Sequence, residues 1–233
     1  MTPSIPAVLA ARLTDEPSAQ KAFPWNRPKW DAVVHDVPDA QAILHTLPEL
    51  LDRSAIRDVV QGNLQRNHVL GAFIPVLIWG GPGGYGPFRA RSILTGIRTK
   101  ANTNAPVNEV IRGKLVKGSE VVRRSGPVEG FRFMNNEGKI EYLGGSFFTK
   151  WLAFSSMTES VDGPNVAPIL DKRVRDWIEV HTKGSEGVCL STDSSQDYRH
   201  YLELLTEWGT PFGRTHAQVE LAIFDLTRDR PAE

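Results

Sequence analysis

The segment Leu143–Leu152 reads LGGSFFTKWL, and the segment Pro168–Ile178, which follows a loop with glycine and proline, reads PILDKRVRDWI. A double glycine opens the first segment, and the residues after it have the spacing of an apolar helix that carries one lysine, Lys150. The second segment is an apolar helix that begins at Asp171. A lysine in apolar surroundings near a carboxylate is a typical amine nucleophile with its electrostatic partner.

Each of these two residues also has a purely structural explanation. Lys150 lies off the apolar stripe of its helix and could be a solvated lysine; that stripe consists of Phe147, Phe148, Trp151 and Leu152. Asp171 could simply cap its helix. The loop at residues 162–165, however, allows the two helices to fold back on each other. Lys150 and Asp171 could then meet in one cleft.

The composition is that of an ordinary globular protein, since 40% of the 233 residues are hydrophobic and 23% are charged. The longest apolar run, residues 72–79, is far shorter than the roughly 20 residues that span a bilayer, and we find no signal-peptide pattern. We therefore expect a cytoplasmic protein with no membrane partner. The single cysteine, Cys189, excludes an intramolecular disulfide and cysteine-rich zinc or iron–sulfur sites, so we expect neither metal nor cofactor.

The formal net charge is zero, but the charges are unevenly distributed. Residues 86–140 contain eleven Lys or Arg and only four Glu, so this window is strongly basic and the remainder of the chain is acidic. A basic face of this kind can meet a phosphate backbone while the whole protein stays neutral. Solvated faces of amphipathic helices explain the same charges, so charge alone leaves DNA binding open.

Apolar periodicity predicts an all-α protein. Helical spacing covers residues 39–51, 54–64, 72–79, 106–122, 196–208 and 216–226, with Ser54 as a cap and a break near Gly113 or Gly118. Residues 131–140 fit either a short helix or an extended piece. The proline-rich residues 1–38 are expected to form an irregular arm. The sequence thus predicts a domain at 39–233, with two helical lobes and an active-site cleft between them.

The strongest interruption of this pattern is the glycine-rich segment 80–87, GGPGGYGP. Its spacing matches neither the G-x-G-x-x-G pattern nor the P-loop with its Lys-Ser/Thr ending. We interpret the segment as a connection between helices, near which the two lobes part. No nucleotide cofactor is expected.

The two opening segments resemble those of the helix-hairpin-helix DNA glycosylases, in the branch of the 8-oxoguanine glycosylases. The signature of that family is a hairpin of the form Leu-Pro-Gly-Val-Gly-x-Lys, followed about twenty residues later by apolar residues, an Asp and a helix. Residues 143–150 match the hairpin and its lysine, and Ile169-Leu170-Asp171 with Val174 match the aspartate. The helix at 217–224 is similar to the one that lines the base pocket in such enzymes. The specific match covers about sixty residues.

The sequence also departs from the family pattern. Ser146 and Phe148 occupy the positions where the family hairpin has glycine, and Gly144 and Gly145 lie closer to the N-terminus. We expect no additional N-terminal β-domain, and the sequence lacks the cysteines of iron–sulfur members. The resemblance is therefore to compact prokaryotic members of the branch.

This resemblance implies a role for several residues. Lys150 would attack C1′ of the deoxyribose, and Asp171 would stabilise the positive charge that develops there. The flipped base would lie in a pocket formed by Phe154, Gln218 and Phe224. The hairpin, at about 142–156, and the basic window would contact DNA through Gly144, Gly145, Ser146, Thr149, Arg89 and Arg91. The expected partner is DNA with a modified base, bound by a monomer.

The substrate and even the enzymatic activity have alternatives. The base could be an 8-oxoguanine-like lesion or a hypermodified phage base, such as glucosylated hydroxymethylcytosine, in antiviral defence. A lysine nucleophile implies an associated abasic-site lyase activity. One alternative is a non-catalytic helix-hairpin-helix module that only binds DNA, and another is a helical protein-interaction domain.

Overall fold

The computed structural model describes residues 3–17, 19–81, 86–183 and 187–228. Within these ranges the chain forms twelve α-helices, two short 3₁₀ turns and one antiparallel pair of two-residue strands. The predicted all-α fold class is confirmed. None of the helices in these ranges combines the length and the apolar character that a membrane span requires.

The helices, in chain order, are α1 Ala7–Thr14, α2 Arg27–Asp31, α3 Pro38–Thr46, α4 Arg53–Gln65, α5 Val69–Trp79, α6 Pro87–Thr95, α7 Val110–Ser125, α8 Pro127–Asn135, α9 Gly145–Ser156, α10 Lys172–Thr182, α11 Ser195–Gly209 and α12 His216–Arg228. The strands are β1 Phe23–Pro24 and β2 Leu50–Leu51, with Phe23 opposite Leu51. The 3₁₀ turns are Lys100–Thr103 and Thr210–Phe212.

The N-terminal region is more regular than the sequence predicted, because it contains α1, α2 and β1. The predicted cap of α4 also lies elsewhere. Ser54 is inside the helix, and Asp52 caps it by accepting a hydrogen bond from the backbone N–H of Ala55 at 2.8 Å. Aspartate and serine are equally good N-caps, so the residue type alone does not show whether the helix begins after Asp52 or after Ser54.

In the middle of the chain, the structure answers two questions that the sequence left open: whether α7 is broken, and how residues 131–140 fold. Helix α7 continues through Gly113 and Gly118 without a break. An added Cβ at Gly118 would lie 2.5 Å from the sulfur of Met134, so α7 and α8 approach each other closely at this point. Residues 131–135 end the helix α8, and residues 136–144 connect it to α9. Residues 82–85 of the glycine-rich segment lie outside the described residues.

Helix α5 is at the centre of the core, since all eleven of its residues are buried. A helix that is apolar all round must be covered on every side, and α5 packs against α3, α4, α7 and α9. Helix α9 is nearly as enclosed, because ten of its twelve residues are buried. It packs against α4, α5, α7 and α8.

The C-terminal end of α9 is held by side chains of two neighbouring helices. Gln61 donates to the carbonyl of Phe154 at 2.7 Å, and Arg57 donates to that of Met157 at 2.9 Å. Arg123 of α7 donates to the carbonyl of Ser155 at 2.7 Å. Cationic donors satisfy the last carbonyls of a helix and complement its dipole. The position of α9, and of Lys150 on it, is therefore fixed from the far end.

Candidate active site

Lys150 and Asp171 form a buried ion pair. The ammonium Nζ of Lys150 lies 3.2 Å from Oδ2 of Asp171 and donates a second hydrogen bond, of 3.0 Å, to the carbonyl of Ser146. The two side chains are only 7% and 15% exposed. The structure thus brings together the two residues that the sequence singled out. An amine and a carboxylate held at this distance can act on one reacting carbon.

The surroundings of the Lys150 side chain are apolar and tightly packed. Its Cδ would lie 2.8 Å from a Cβ added at Gly80, and the ring of Phe147 would lie 2.9 Å away. Nζ also lies 5.2 Å from the centroid of the Phe147 ring, which is a cation–π distance. Only a glycine at position 80 leaves room for the lysine stem.

Asp171 occupies the N-cap of α10, as the sequence predicted. Its Oδ1 accepts a hydrogen bond of 3.2 Å from the backbone N–H of Val174, and its Oδ2 faces Lys150. Burial raises the pKa of the Asp171 carboxyl, but the Lys150 ammonium and the Val174 N–H outweigh that effect and hold the pKa below its usual value. The carboxylate therefore stays ionised although it is largely buried.

The segment that leads into Asp171 is held by buried hydroxyls. Tyr198 and Tyr201 of α11 donate to the carbonyls of Pro168 and Ile169 at 2.8 and 2.9 Å. Helical spacing at residues 196–208 predicted this helix but no role for its tyrosines. Buried tyrosines usually find a partner for their hydroxyl, but the spacing does not reveal which one.

A second buried ion pair, Arg53–Glu220, was not found from the sequence. Nη2 of Arg53 donates to both carboxylate oxygens of Glu220 at 2.9 and 2.8 Å, and Glu220 is electrostatically coupled to Asp171 and Lys150. Burial raises the pKa of the Glu220 carboxyl, and the Arg53 guanidinium only partly offsets this. The sequence signal was present, since Glu220 interrupts the apolar stripe of α12.

The three residues predicted for a base pocket lie in different environments. Phe154 is completely buried, with its ring edge-on to Trp79 at 4.9 Å between centroids. Phe224 is half-buried, 5.9 Å from the guanidinium of Arg173. Gln218 lies on the wall of a cavity. The structure therefore does not bring the three together around one opening.

Both ends of the Gln218 amide already have partners. Its oxygen accepts from the backbone N–H of Thr215 at 3.1 Å, while the Thr215 hydroxyl accepts from the N–H of Gln218 at 3.2 Å. This reciprocal arrangement is a capping box at the start of α12, and its T-x-x-Q signature was visible in the sequence. The amide nitrogen donates to Asp162 at 2.8 Å.

The residues predicted to contact DNA divide into two groups. Gly144 and Arg89 are exposed, and Ser146 is half-buried. Thr149 is completely buried, where its hydroxyl donates to the carbonyl of Gly145. Arg91 is a correction to the prediction, because its buried guanidinium donates to both oxygens of Asp36 and to the carbonyls of Val33, Asn102 and Ala105. It supports the fold and has no donor left for a phosphate.

Of the two glycines before Lys150, packing explains Gly145, whereas Gly144 is open to an added Cβ. Gly145 is buried against Thr192, whose Cβ would lie only 2.4 Å from an added Cβ. The left-handed position of this connection is Tyr142, at φ 65°. No described side chain caps α9, whose N-cap is Gly144. The N-terminus of this helix therefore presents backbone N–H groups of the kind that bind anions.

A cavity of about 240 Å³ lies between the N-terminal segment, the start of α4 and α12. Trp79 lies between its wall and the helix that carries Lys150. The indole Nε1 donates to Gln20 on the cavity wall at 2.9 Å, and the ring contacts Phe154 on α9. Gly80, the next residue, contacts the Lys150 stem. Lys150 and Asp171 do not line the cavity, and Trp79 and Gly80 lie between its wall and the lysine stem.

Comparison with known proteins gave one result. A family model described as "Putative 8-oxoguanine DNA glycosylase OGG-like protein" matches residues 16–224, which are 209 of the 233 residues. The matched range contains both ion pairs and every residue predicted for the site. No curated protein and no solved structure matched the chain.

Proposed function

Because the chain belongs to the family of OGG-like 8-oxoguanine DNA glycosylases, we propose that it excises a modified base from DNA through Lys150 and Asp171. Membership of this family supports DNA glycosylase activity and DNA as the substrate. The observation that carries the assignment of residues is the contact of 3.2 Å between the Lys150 ammonium and the Asp171 carboxylate, whose side chains are both largely buried. A solvated surface lysine or a simple helix cap would not require this buried pairing.

The proposed reaction uses both members of the pair. The bond from C1′ to the base nitrogen breaks, and its electron pair leaves with the base. Asp171, kept ionised by Lys150 and by the N–H of Val174, stabilises the positive charge on the sugar. The Lys150 ammonium passes one proton to the departing base, and the neutral amine that results forms the new bond to C1′. The bonded nitrogen then passes a second proton to the ring oxygen as the bond from C1′ to that oxygen breaks, which gives a Schiff base between Lys150 and C1′.

A Schiff base at C1′ also explains the lyase activity that we propose. The covalent adduct makes the proton at C2′ acidic, so that its loss expels the 3′-phosphate by β-elimination. Water then hydrolyses the adduct and restores the lysine. An enzyme that used water as its nucleophile would release the base and leave the abasic strand intact.

DNA is proposed to bind at the N-terminus of α9. The backbone N–H groups around Gly144, Gly145 and Ser146 form an anion site for a phosphate, supported by Arg89. Thr149 contributes indirectly, by holding the first turn of α9. The target base must leave the stack to reach Lys150. Gln218 is proposed to border its pocket, with Phe154 and Phe224 as aromatic walls after rearrangement.

Two classes of base are proposed as substrates: an 8-oxoguanine-like lesion, or a hypermodified phage base such as glucosylated hydroxymethylcytosine in antiviral defence. The family description supports the first class. Comparison of base release from oxidised duplexes and from modified phage DNA distinguishes the two.

Borohydride trapping tests the nucleophile. Reduction of the Schiff base should give a covalent adduct between the wild-type protein and DNA that contains the modified base or an abasic site. Lys150→Ala should abolish the adduct. Lys172→Ala is the matched control, because this lysine lies next to Asp171 but its side chain is 78% exposed, and the variant should be trapped normally. Unchanged trapping of Lys150→Ala would refute the assignment. Retained, salt-sensitive DNA binding without any adduct would support the non-catalytic module instead.

A further inference from the structure

Residues 166–170 form a buried linker that ends directly before Asp171. All five of these residues are buried, and none of them belongs to a helix or a strand. A buried segment without regular structure has no ladder of backbone hydrogen bonds, so other groups must satisfy its N–H and carbonyl groups. In this linker, hydroxyls of two neighbouring helices bind four of them.

Two hydroxyls of α9 accept hydrogen bonds from the N–H groups of the linker. The hydroxyl of Thr149 accepts from Leu170 at 3.3 Å, and that of Ser156 accepts from Ala167 at 2.9 Å. Each hydroxyl also donates to a carbonyl of its own helix. Because an α-helix has about 3.6 residues per turn, positions 149 and 156 lie on the same face of α9. This face holds the linker at both ends.

Two tyrosines of α11 bind the carbonyls between these ends. Tyr198 donates to Pro168 at 2.8 Å, and Tyr201 donates to Ile169 at 2.9 Å. Both tyrosine side chains are completely buried. The path of the linker is therefore fixed along its length, up to the residue before Asp171.

The Thr149 hydroxyl connects the two elements that carry the ion pair. Thr149 directly precedes Lys150, and its partner Leu170 directly precedes Asp171. The hydrogen bond between them thus lies one residue before the contact of 3.2 Å between Lys150 and Asp171 in both elements. Thr149 is completely buried, so water does not compete for this hydrogen bond.

We infer that Thr149 and Tyr201 are positioning residues, whose hydroxyls hold Asp171 at the distance from Lys150 that the reaction requires. Both act through the backbone of the linker and not by contact with DNA. A carboxylate stabilises a developing positive charge effectively only where it is held in place beforehand. This role rests on the glycosylase function proposed above, because it concerns the rate of that reaction.

The main test is Thr149→Val, which keeps the shape of the side chain but removes the hydroxyl. The measurements are single-turnover base release from duplexes with 8-oxoguanine or glucosylated hydroxymethylcytosine, and the Kd for the same duplexes. We expect the rate to fall by about tenfold, less than the roughly 100-fold cost of a misplacement by about 1 Å. The Kd should stay near that of wild type. Thr149→Ser, which keeps the hydroxyl, should restore the rate.

Ser156→Ala is the matched control, because it removes the corresponding hydroxyl at the far end of the linker. It should lower the midpoint of urea unfolding, as Thr149→Val does, but leave the rate near that of wild type. Equal slowing of the two variants would overturn the inference, since a general loss of stability would then explain both. A weaker Kd with an unchanged rate would also overturn it and would assign Thr149 to the first turn of α9.

The background Asp171→Asn shows whether Thr149 acts through this carboxylate. If it does, Thr149→Val should cause almost no further loss of rate in that background, because the charge that it positions is already gone. Losses that multiply would mean that the two residues act independently, which contradicts the inference. Tyr201→Phe keeps the ring and removes the hydroxyl, so it should show the same dependence on Asp171. It replaces Thr149→Val if that variant does not fold, and a normal rate for Tyr201→Phe would contradict its positioning role.

The stability of the same variants separates this inference from the proposed function. A wild-type protein that releases no base and forms no adduct contradicts the glycosylase, and the urea midpoints then decide on the positioning. Thr149→Val should lower the midpoint less in the Asp171→Asn background than in wild type, whereas Ser156→Ala should lower it equally in both. Equal losses for Thr149→Val would contradict the positioning. A protein that releases base but shows independent effects of Thr149→Val and Asp171→Asn contradicts the positioning alone.

Discussion

The two buried ion pairs of this protein differ in how deeply they are buried and in which helices they join. Arg53–Glu220 is enclosed, with side-chain exposures of 6% and 1%, and joins the first residue of α4 to the middle of α12. Lys150–Asp171 is slightly more exposed, is joined by one hydrogen bond and connects the middle of α9 to the N-cap of α10. One pair holds two helices together, and the other presents an amine and a carboxylate at the edge of the core.

The difference is also visible in the two carboxylates. Asp171 keeps a pKa below its usual value, because one oxygen faces an ammonium and the other accepts a backbone N–H. Burial dominates at Glu220 and raises its pKa. A buried carboxylate that remains charged can stabilise a developing cation. This contrast favours Asp171, and not Glu220, as the residue that acts on the sugar.

The largest effect should come from breaking the enclosed pair. Glu220→Leu leaves the Arg53 guanidinium buried without its partner, which typically costs about 3–5 kcal/mol of stability. Chemical denaturation of the variant measures this loss directly. The double variant Arg53→Met/Glu220→Leu should regain most of it, because a well-packed apolar pair often replaces a buried ion pair at little cost. A double variant as unstable as the single one would contradict the structural role of this pair.

Changing the Lys150–Asp171 pair should affect the reaction rate more than the stability. Asp171→Asn keeps a good N-cap for α10 but removes the charge. We expect single-turnover base release to fall by about 10²–10³-fold, as for the loss of one group that stabilises transition-state charge. The free energy of unfolding near neutral pH should change by less than for Glu220→Leu. Asp176→Asn, on the exposed side of α10, is the matched control. A normal rate for Asp171→Asn would remove the distinction between the two pairs.

The sequence predicted the Lys150–Asp171 pair but not the Arg53–Glu220 pair. Lys150 and Asp171 are 21 residues apart, and the glycines before the helix of Lys150 and the capping aspartate of the next helix give local signals. Arg53 and Glu220 are 167 residues apart, and no local pattern links positions so distant. The all-α class followed from apolar periodicity because each helix must bury one stripe.

Counting charges along the sequence did not show which arginines are paired within the fold. Arg91 contributed to the basic window but is buried against Asp36, 55 residues earlier in the chain. The resemblance to base-pocket helices placed Gln218 next to a cavity, while its amide went to local capping. In both cases the side chain can in principle bind DNA or a base, but its hydrogen bonds are used within the protein.

A smaller effect should come from disturbing Lys150 through its neighbour. Gly80→Ala places a methyl group 2.8 Å from the lysine Cδ and 3.1 Å from the carbonyl of Val76. Overpacking of this kind costs about 1–3 kcal/mol, and a displaced amine reacts more slowly. The rate of adduct formation on abasic DNA should therefore fall. Gly86→Ala, where an added Cβ would meet nothing within 4 Å, should behave like wild type. Equal behaviour of the two variants would show that Lys150 does not depend on this packing.

The smallest effect concerns acid pH, where the two carboxylates should act in opposite directions. The folded-state pKa of Asp171 is lowered, so its contribution to stability is complete above the ordinary aspartate value of about 3.9 and is lost as the pH falls through the folded-state pKa. The folded-state pKa of Glu220 is raised, so its contribution to stability is complete below the ordinary glutamate value of about 4.3 and is lost as the pH rises through the folded-state pKa.

Urea denaturation of wild type, Asp171→Asn and Glu220→Gln across acid pH measures both contributions. The advantage of wild type over Asp171→Asn should shrink as the pH falls, whereas its advantage over Glu220→Gln should grow. Slopes of the same sign would contradict the opposite pKa shifts of the two carboxylates, and this contrast would no longer favour Asp171 over Glu220.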